Sequence, residues 1–232
     1  MMGPHAGYVY SGAILGETYA HVLVPGRAIV MCPNHTGLGV RRSLWAGGSW
    51  QLPGAEVAID EKLAERVRVA ARMEPDLDAH VREHAIEVHL PFLHHQNPDA
   101  RIVPIVLAGL RLEDCREVGH GLAKAIRDTK AEDGDDVLIV ASTDMSHYVS
   151  AQTAKRLDTM ALERVVALDP AGLYETVRAH DISMCGFIPT TCALFAAIEL
   201  GATSAELVRY GNSGEASGDF DRVVGYAGVV IR

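Results

Sequence analysis

Short, β-branched apolar runs alternate with longer amphipathic ones along this chain, and that alternation restricts its fold more than any other feature. Arg27–Cys32 (RAIVMC), Arg101–Leu107 (RIVPIVL), Asp136–Ala141 (DVLIVA) and Val223–Ile231 (VVGYAGVVI) each read as a buried strand. Ser11–Leu23, Asp60–Met73, Leu112–Arg127 and Ala151–Leu168 read as helices, with Asp60 as an N-cap and charges gathered on one face of the second. Asp169–His180 and Ile188–Leu200 complete the helical cover. Strand, helix, strand order of this kind gives an α/β protein with a central, mostly parallel sheet flanked by helices. No repeat, low-complexity stretch or linker divides residues 1–232, so one domain is expected. The glycine-rich runs Ala46–Gly48 and Gly211–Gly218 are loop-sized, and the second reads as a hairpin-like connection because it lacks the spacing of a nucleotide motif.

Charge and composition narrow the function classes. The net charge of −9 offers no basic field to attract nucleic acid or an acidic membrane surface. No window approaches the roughly 18 apolar residues that a membrane helix needs, and no basic segment followed by an apolar one marks a secretory signal. Cys32, Cys115, Cys185 and Cys192 form no CxxC pair, so a zinc ribbon or thioredoxin-type motif is unsupported, and reduced thiols in a cytoplasm are the expectation.

In open α/β sheets the chemistry gathers at the loops beyond the C-terminal ends of the strands. Four such loops here carry His, Asp or Cys beside turn residues: Pro4-His5-Ala6-Gly7-Tyr8, Pro33-Asn34-His35-Thr36-Gly37, Ser142 to Tyr148 (STDMSHY) and Met184 to Pro189 (MCGFIP). Two neutral imidazoles and one anionic ligand, with open positions beside them, are the non-heme iron pattern. A thiolate in place of a carboxylate keeps the charge and adds softness, favouring iron, copper or zinc over magnesium. Cys185 lies at the start of a helix, where the helix N-terminus is expected to stabilise a thiolate. Glu83 to Phe92 (EHAIEVHLPF) reads as a helix start that places Glu83, Glu87 and Leu90 on one face, with His84 and Glu87 as neighbours. That face supplies groups able to fix imidazole tautomers. Simpler readings stand beside these: Asp144 as a turn residue, His147 as a loop-packing one, Cys185 as an inert thiol, and Glu83, His84 and Glu87 as a solvated helix face.

PHAGYVYSG (Pro4 to Gly12), EHAIEVHLPFL (Glu83 to Leu93), STDMSHY, MCG (Met184 to Gly186) and SGDFDRVVGYAG (Ser217 to Gly228), in that order, resemble the Memo family. Its bacterial and archaeal members are called AmmeMemoRadiSam system protein B. The resemblance implies the fold of LigB-type class III extradiol dioxygenases, with a metal pocket. It implies His5, His35 and Cys185 as metal ligands and places Asp144 and His147 in the pocket. The residues themselves suggest Asp144 and His147 as catalytic acid or base, with Glu83, His84, Glu87 and Tyr8 as a surrounding shell or substrate contact. Family members carry about a strand and a helix before PHAGY, so the first strand of the sheet is expected to be missing here and His5 to be loosely held.

Three readings follow. One is non-heme redox chemistry at one metal ion, iron first and copper or zinc as alternatives, on an unknown small substrate. Another is an accessory module that binds a small molecule or peptide in the same pocket, with AMMECR-type and radical SAM proteins as the partners the resemblance implies. The third is a zinc hydrolase with Asp144 as base.

Overall fold

The computed structural model describes residues 1–232. In chain order its elements are β1 (Met2–Gly3), α1 (Tyr8–Ala20), β2 (Arg27–Pro33), β3 (Arg42–Leu44), β4 (Ser49–Leu52), β5 (Ala55–Ala58), α2 (Glu61–Ala70) and β6 (Glu74–Pro75). A 3-10 turn (Glu87–His89) then leads into α3 (Leu90–Gln96), β7 (Arg101–Leu107), α4 (Leu112–Asp133), β8 (Leu138–Ser142) and β9 (His147–Val149). The chain ends with α5 (Ala151–Val166), α6 (Pro170–Ala179), α7 (Phe187–Glu199), β10 (Ala205–Asn212), α8 (Gly214–Ser217) and β11 (Val223–Ile231).

The main sheet runs β10-β11-β1-β8-β2-β7-β3-β6, with β9 added on β11, and β4 and β5 form a separate hairpin. Its centre is parallel: β1 with β8, β8 with β2, and β2 with β7. Antiparallel pairs flank that centre at β3/β7, β1/β11 and β10/β11. Every residue of β2 is buried because helices cover both faces. Ile29 and Met31 pack with Leu63, Val67, Val118 and Leu122 of α2 and α4 on one face. Ala28, Val30 and Cys32 pack with Leu15, Tyr19, Leu90 and Leu93 of α1 and α3 on the other. A third cluster joins α5 and α6 to β11 through Ala161, Val165, Leu173 and Val229. No helix is long and apolar enough to cross a membrane.

The first strand expected to be missing is present, as two residues. Met2–Gly3 wedges between β8 and β11, with Met2 opposite Ala141 on one side and Val229 on the other. Backbone bonds from the Ala141 N–H to the Met1 carbonyl and from the Thr143 N–H to the Gly3 carbonyl hold it, each 2.9 Å. The wedge is short. Just beyond it, β8's continuation closes directly onto β11, through the Met145 N–H to the Gly225 carbonyl and the Gly225 N–H to the Ser146 carbonyl. A glycine at 225 also leaves room for Asp158 of α5, whose carboxylate would stand 2.1 Å from a Cβ there.

The EHAIEVHLPF segment differs from its expected form. Residues before Glu87 make turns, the 3-10 turn follows, and regular helix begins only at Leu90. Glu83 and Glu87 therefore share no face: Glu83 is buried and Glu87 is exposed.

Candidate functional site

Three neighbouring parallel strands deliver the site. His5 lies two residues beyond β1, His35 two beyond β2 and Asp144 two beyond β8. β1 and β2 flank β8, so the two histidines approach each other across the end of the middle strand. Asn34 shapes the second loop, its side-chain oxygen accepting from the N–H groups of Thr36 (3.1 Å) and Gly37 (2.8 Å). His5, His35 and His84 then converge, with ligand nitrogens all within 4.8 Å of one another and ring centroids 5.1 to 5.6 Å apart. His5 is 2% exposed, while the His35 and His84 side chains are 34% and 58% exposed, so the cluster has one buried and one open side.

The proton positions on the imidazoles follow from their partners. Ser142 Oγ donates to the Ala85 carbonyl at 2.8 Å, and a hydroxyl has only one proton. It must therefore accept from both His5 Nδ1 (2.7 Å) and His89 Nε2 (3.0 Å). His5 is thus protonated on Nδ1, and its Nε2 lone pair faces the cluster. His89, protonated on Nε2, accepts on Nδ1 from the Tyr19 hydroxyl at 3.2 Å. Burial lowers both rings' basicity, His5 well below the usual histidine range and His89 to about 3, so both are neutral. In the second loop His35 Nδ1 donates to Glu83 Oε1 at 2.9 Å, which leaves the Nε2 lone pair of His35 free as well. A carboxylate or hydroxyl that fixes the tautomer of an imidazole is the usual second support of a metal-binding histidine.

Glu83 is the anchor of this side of the site. Its carboxylate accepts from the His35 N–H (2.8 Å), the His84 N–H (3.0 Å) and the Ala85 N–H (3.1 Å) as well as from the His35 ring. Burial pushes its pKa up, but these donors outweigh burial and hold it at about 2. The bond to Glu83 raises His35 in turn.

Ser142→Ala removes the shared acceptor. It leaves His5 Nδ1–H and His89 Nε2–H buried and unpaired, which is expected to lower unfolding free energy by about 2 kcal/mol. Urea titration of the variant checks this; stability equal to wild type would mean the two rings do not depend on Ser142.

Cys185 stands at the same nitrogen of His5 that faces the cluster, with Sγ 3.4 Å from His5 Nε2. It lies outside the trio of mutually close nitrogens, where His84 takes the third place. Residue 186 is glycine for a local reason: a Cβ there would meet the Ser142 carbonyl at 2.3 Å and Thr143 Cβ at 2.5 Å. The start of α7 thus docks on the end of β8, with the Gly186 N–H on Thr143 Oγ1 (2.9 Å) and the Asp144 N–H on Cys185 Sγ (3.3 Å). Burial, and then the neighbouring Asp144 carboxylate, push the thiol up to about 12, while the N–H groups of Asp144 and Gly186 and the Thr143 hydroxyl act the other way.

The remaining expected residues spread around this centre. Asp144 is buried and accepts from the His5 N–H at 2.8 Å, and burial raises its pKa. His147 donates Nδ1–H to the Ser183 carbonyl at 2.8 Å, which leaves Nε2 as an acceptor. Tyr8 is half exposed, its hydroxyl 3.3 Å from the Val88 carbonyl and its ring edge-on to Phe92. Glu87 faces solvent and touches the site only through its field on Tyr8. Ser142, His89 and Tyr19, which hold His5, were not singled out from the sequence; the signal available was a serine and a histidine inside two of the motifs.

Comparison with known proteins places these residues among relatives. A family model described as Memo-like protein matches residues 1–230. A MEMO1 family protein of Methanothermobacter thermautotrophicus is 39% identical over 231 residues, covering 98% of this chain and 82% of the relative. One from Methanopyrus kandleri is 40% identical over 237 residues, covering 100% and 82%. Among solved structures, an uncharacterized protein from Escherichia coli K12 shares the fold with a TM-score of 0.61 over 97% of both chains, at 15% identity.

Proposed function

From the premise that this chain belongs to the Memo family, we propose that it binds one metal ion, iron(II) by preference, between His5, His35 and Cys185 and uses it for redox chemistry on a small substrate. The observation that carries this reading is the pair of pinned tautomers. Two imidazoles from different loops each have Nδ1–H committed, to Ser142 and to Glu83, which leaves Nε2 of each as the nitrogen able to meet a cation, that of His5 beside Cys185 Sγ. Cys185 beside His5 Nε2 supplies a soft donor that a cation would turn into a thiolate. His84 offers a third nitrogen from the exposed side. Such a donor set suits iron, copper or zinc. A redox-active ion bound there would supply electron transfer between substrate and oxidant.

The protein's own groups would handle protons. His147 Nε2, its other nitrogen tied to Ser183, is oriented to take a proton from a substrate hydroxyl. Asp144, raised by burial and bonded to the His5 backbone, holds that loop in place and adds negative charge beside the cluster.

Elemental analysis of protein purified without added metal is expected to find about one iron or copper per chain, and His5→Ala to abolish it. Full occupancy in His5→Ala would overturn the ligand assignment. Oxygen uptake by the iron-loaded protein with a substrate would support turnover. Metal binding with no uptake across catechols and related phenols would instead favour the binding-module reading.

A further inference from the structure

A cavity of about 430 Å³ opens beside the histidine cluster, and none of the roles above uses it. Ala6 and Gly7, which directly follow His5, form one wall, so it adjoins the candidate metal centre. Tyr10, Tyr148 and Tyr226 line it, with Ser213 and Arg222. Its size lies within the range of small-molecule sites.

Two features mark it as built. Tyr148 holds a left-handed backbone conformation, φ 59°, although it is a bulky residue in a short strand. A conformation of that kind persists only where its surroundings enforce it. Arg222 lies over the Tyr148 ring, 4.9 Å from its centroid, and has no carboxylate within 4.0 Å, whereas most arginines of this acidic chain are paired. Both side chains are solvent-exposed, and a guanidinium stacked on an aromatic face leaves its in-plane donors open to water or a ligand.

We propose that this cavity is the substrate subsite of the metal centre and that Arg222 anchors the carboxylate of a small aromatic acid there. The assignment of a metal-adjacent role rests on the function proposed above; the carboxylate anchor rests on Arg222 and the three tyrosines alone. The tyrosine rings match a flat apolar body. The charge of the ligand follows from what faces it. Arg222 is the one cation on the cavity wall, and the Asp219 carboxylate also lines it, accepting from the Asp221 N–H at 2.9 Å. With one guanidinium and one carboxylate in the lining, Arg222 can match a single negative charge, and Asp219 disfavours a phosphate dianion.

Calorimetric titration of benzoate into the full chain without added metal tests the anchor. Arg222→Gln is expected to weaken binding about tenfold or more, Arg222→Lys less, and benzamide to bind wild type no better than benzoate binds Arg222→Gln. Tyr148→Asn, which tolerates the left-handed backbone, is expected to weaken benzoate several-fold by removing the ring. Equal benzoate affinity in wild type and Arg222→Gln overturns the anchor, and inorganic phosphate displacing benzoate at equal or lower concentration overturns the monoanion. Location has its own readout: iron(II)-loaded protein is expected to broaden the benzoate ring protons in NMR, and Arg222-dependent binding without broadening overturns the adjacency. Failure of the protein to hold metal would show in elemental analysis and would leave the Arg222 result readable.

Discussion

Glu83→Ala is expected to cost about 3 kcal/mol of stability and to release His35 from the cluster. The magnitude follows from what one carboxylate satisfies: the His35 ring and three backbone N–H groups, in a side chain that is almost wholly buried. Removing one side of a buried, charge-assisted network leaves the other side unpaired, which is the expensive case. The pH dependence carries a second signature. Folding lowers the Glu83 pKa from 4.5 to about 2, so the unfolded chain binds this proton more readily. The stabilisation is complete above about 4.5 and is lost as pH falls toward 2. Wild-type stability should therefore drop across that window through this group, and Glu83→Ala should flatten the drop. Urea titrations at pH 6, 4.5 and 3.5 compare the two; parallel acid limbs would exclude Glu83 as their source.

The second large effect is steric. Gly186→Ala is expected to lower unfolding free energy by up to about 3 kcal/mol and to expose Cys185. The added methyl meets the Ser142 carbonyl and Thr143 Cβ, neither of which is the free end of a flexible side chain. Relief requires the start of α7 to retreat from the end of β8, and that movement breaks the contacts of Cys185 with His5 and Asp144. Thermal unfolding reads the first effect as a fall of roughly 6 to 10 °C. Alkylation of Cys185 by iodoacetamide reads the second, because a thiol held near 12 by burial reacts slowly until it is uncovered. An unchanged alkylation rate in a destabilised variant would show that the docking of α7 does not shield Cys185.

The centre of the fold was legible in the sequence because its strands are buried on both faces and so appear as unbroken apolar runs. β7 and β11 match their expected limits, and β2 and β8 differ by one or two residues at their ends. The periphery was not legible. β10 (AELVRYGN) lies at the sheet edge, half exposed and with a register shift at Leu207/Arg209, so it presents no apolar pattern. β3 and β6 are three and two residues long, too short for periodicity to mark. The separation of Glu83 from Glu87 followed from the late start of α3, which helical spacing from Glu83 overlooked. At the site, the loops carrying His5, His35, Asp144 and Cys185 could be named because their turn residues flank ligand types. Tyr19, His89 and Ser142 could not, since their bonds to one another and to His5 join positions 53 to 137 residues apart. Their roles exist only after folding.

The order β1-β8-β2 at the centre of the sheet fixes more than the core. His5 and His35 leave strands that flank β8, so the ends of those strands stand two steps of the hydrogen-bond lattice apart, roughly 4.8 Å each, and two-residue loops bring the rings in to 5.1 Å. The sheet serves as a ruler for the cluster. A change of length in a segment that pairs outside this sheet, such as the β4–β5 hairpin, leaves the spacing of the two strand ends unchanged. The rim, where the tyrosine-lined cavity lies, is not tied to that lattice.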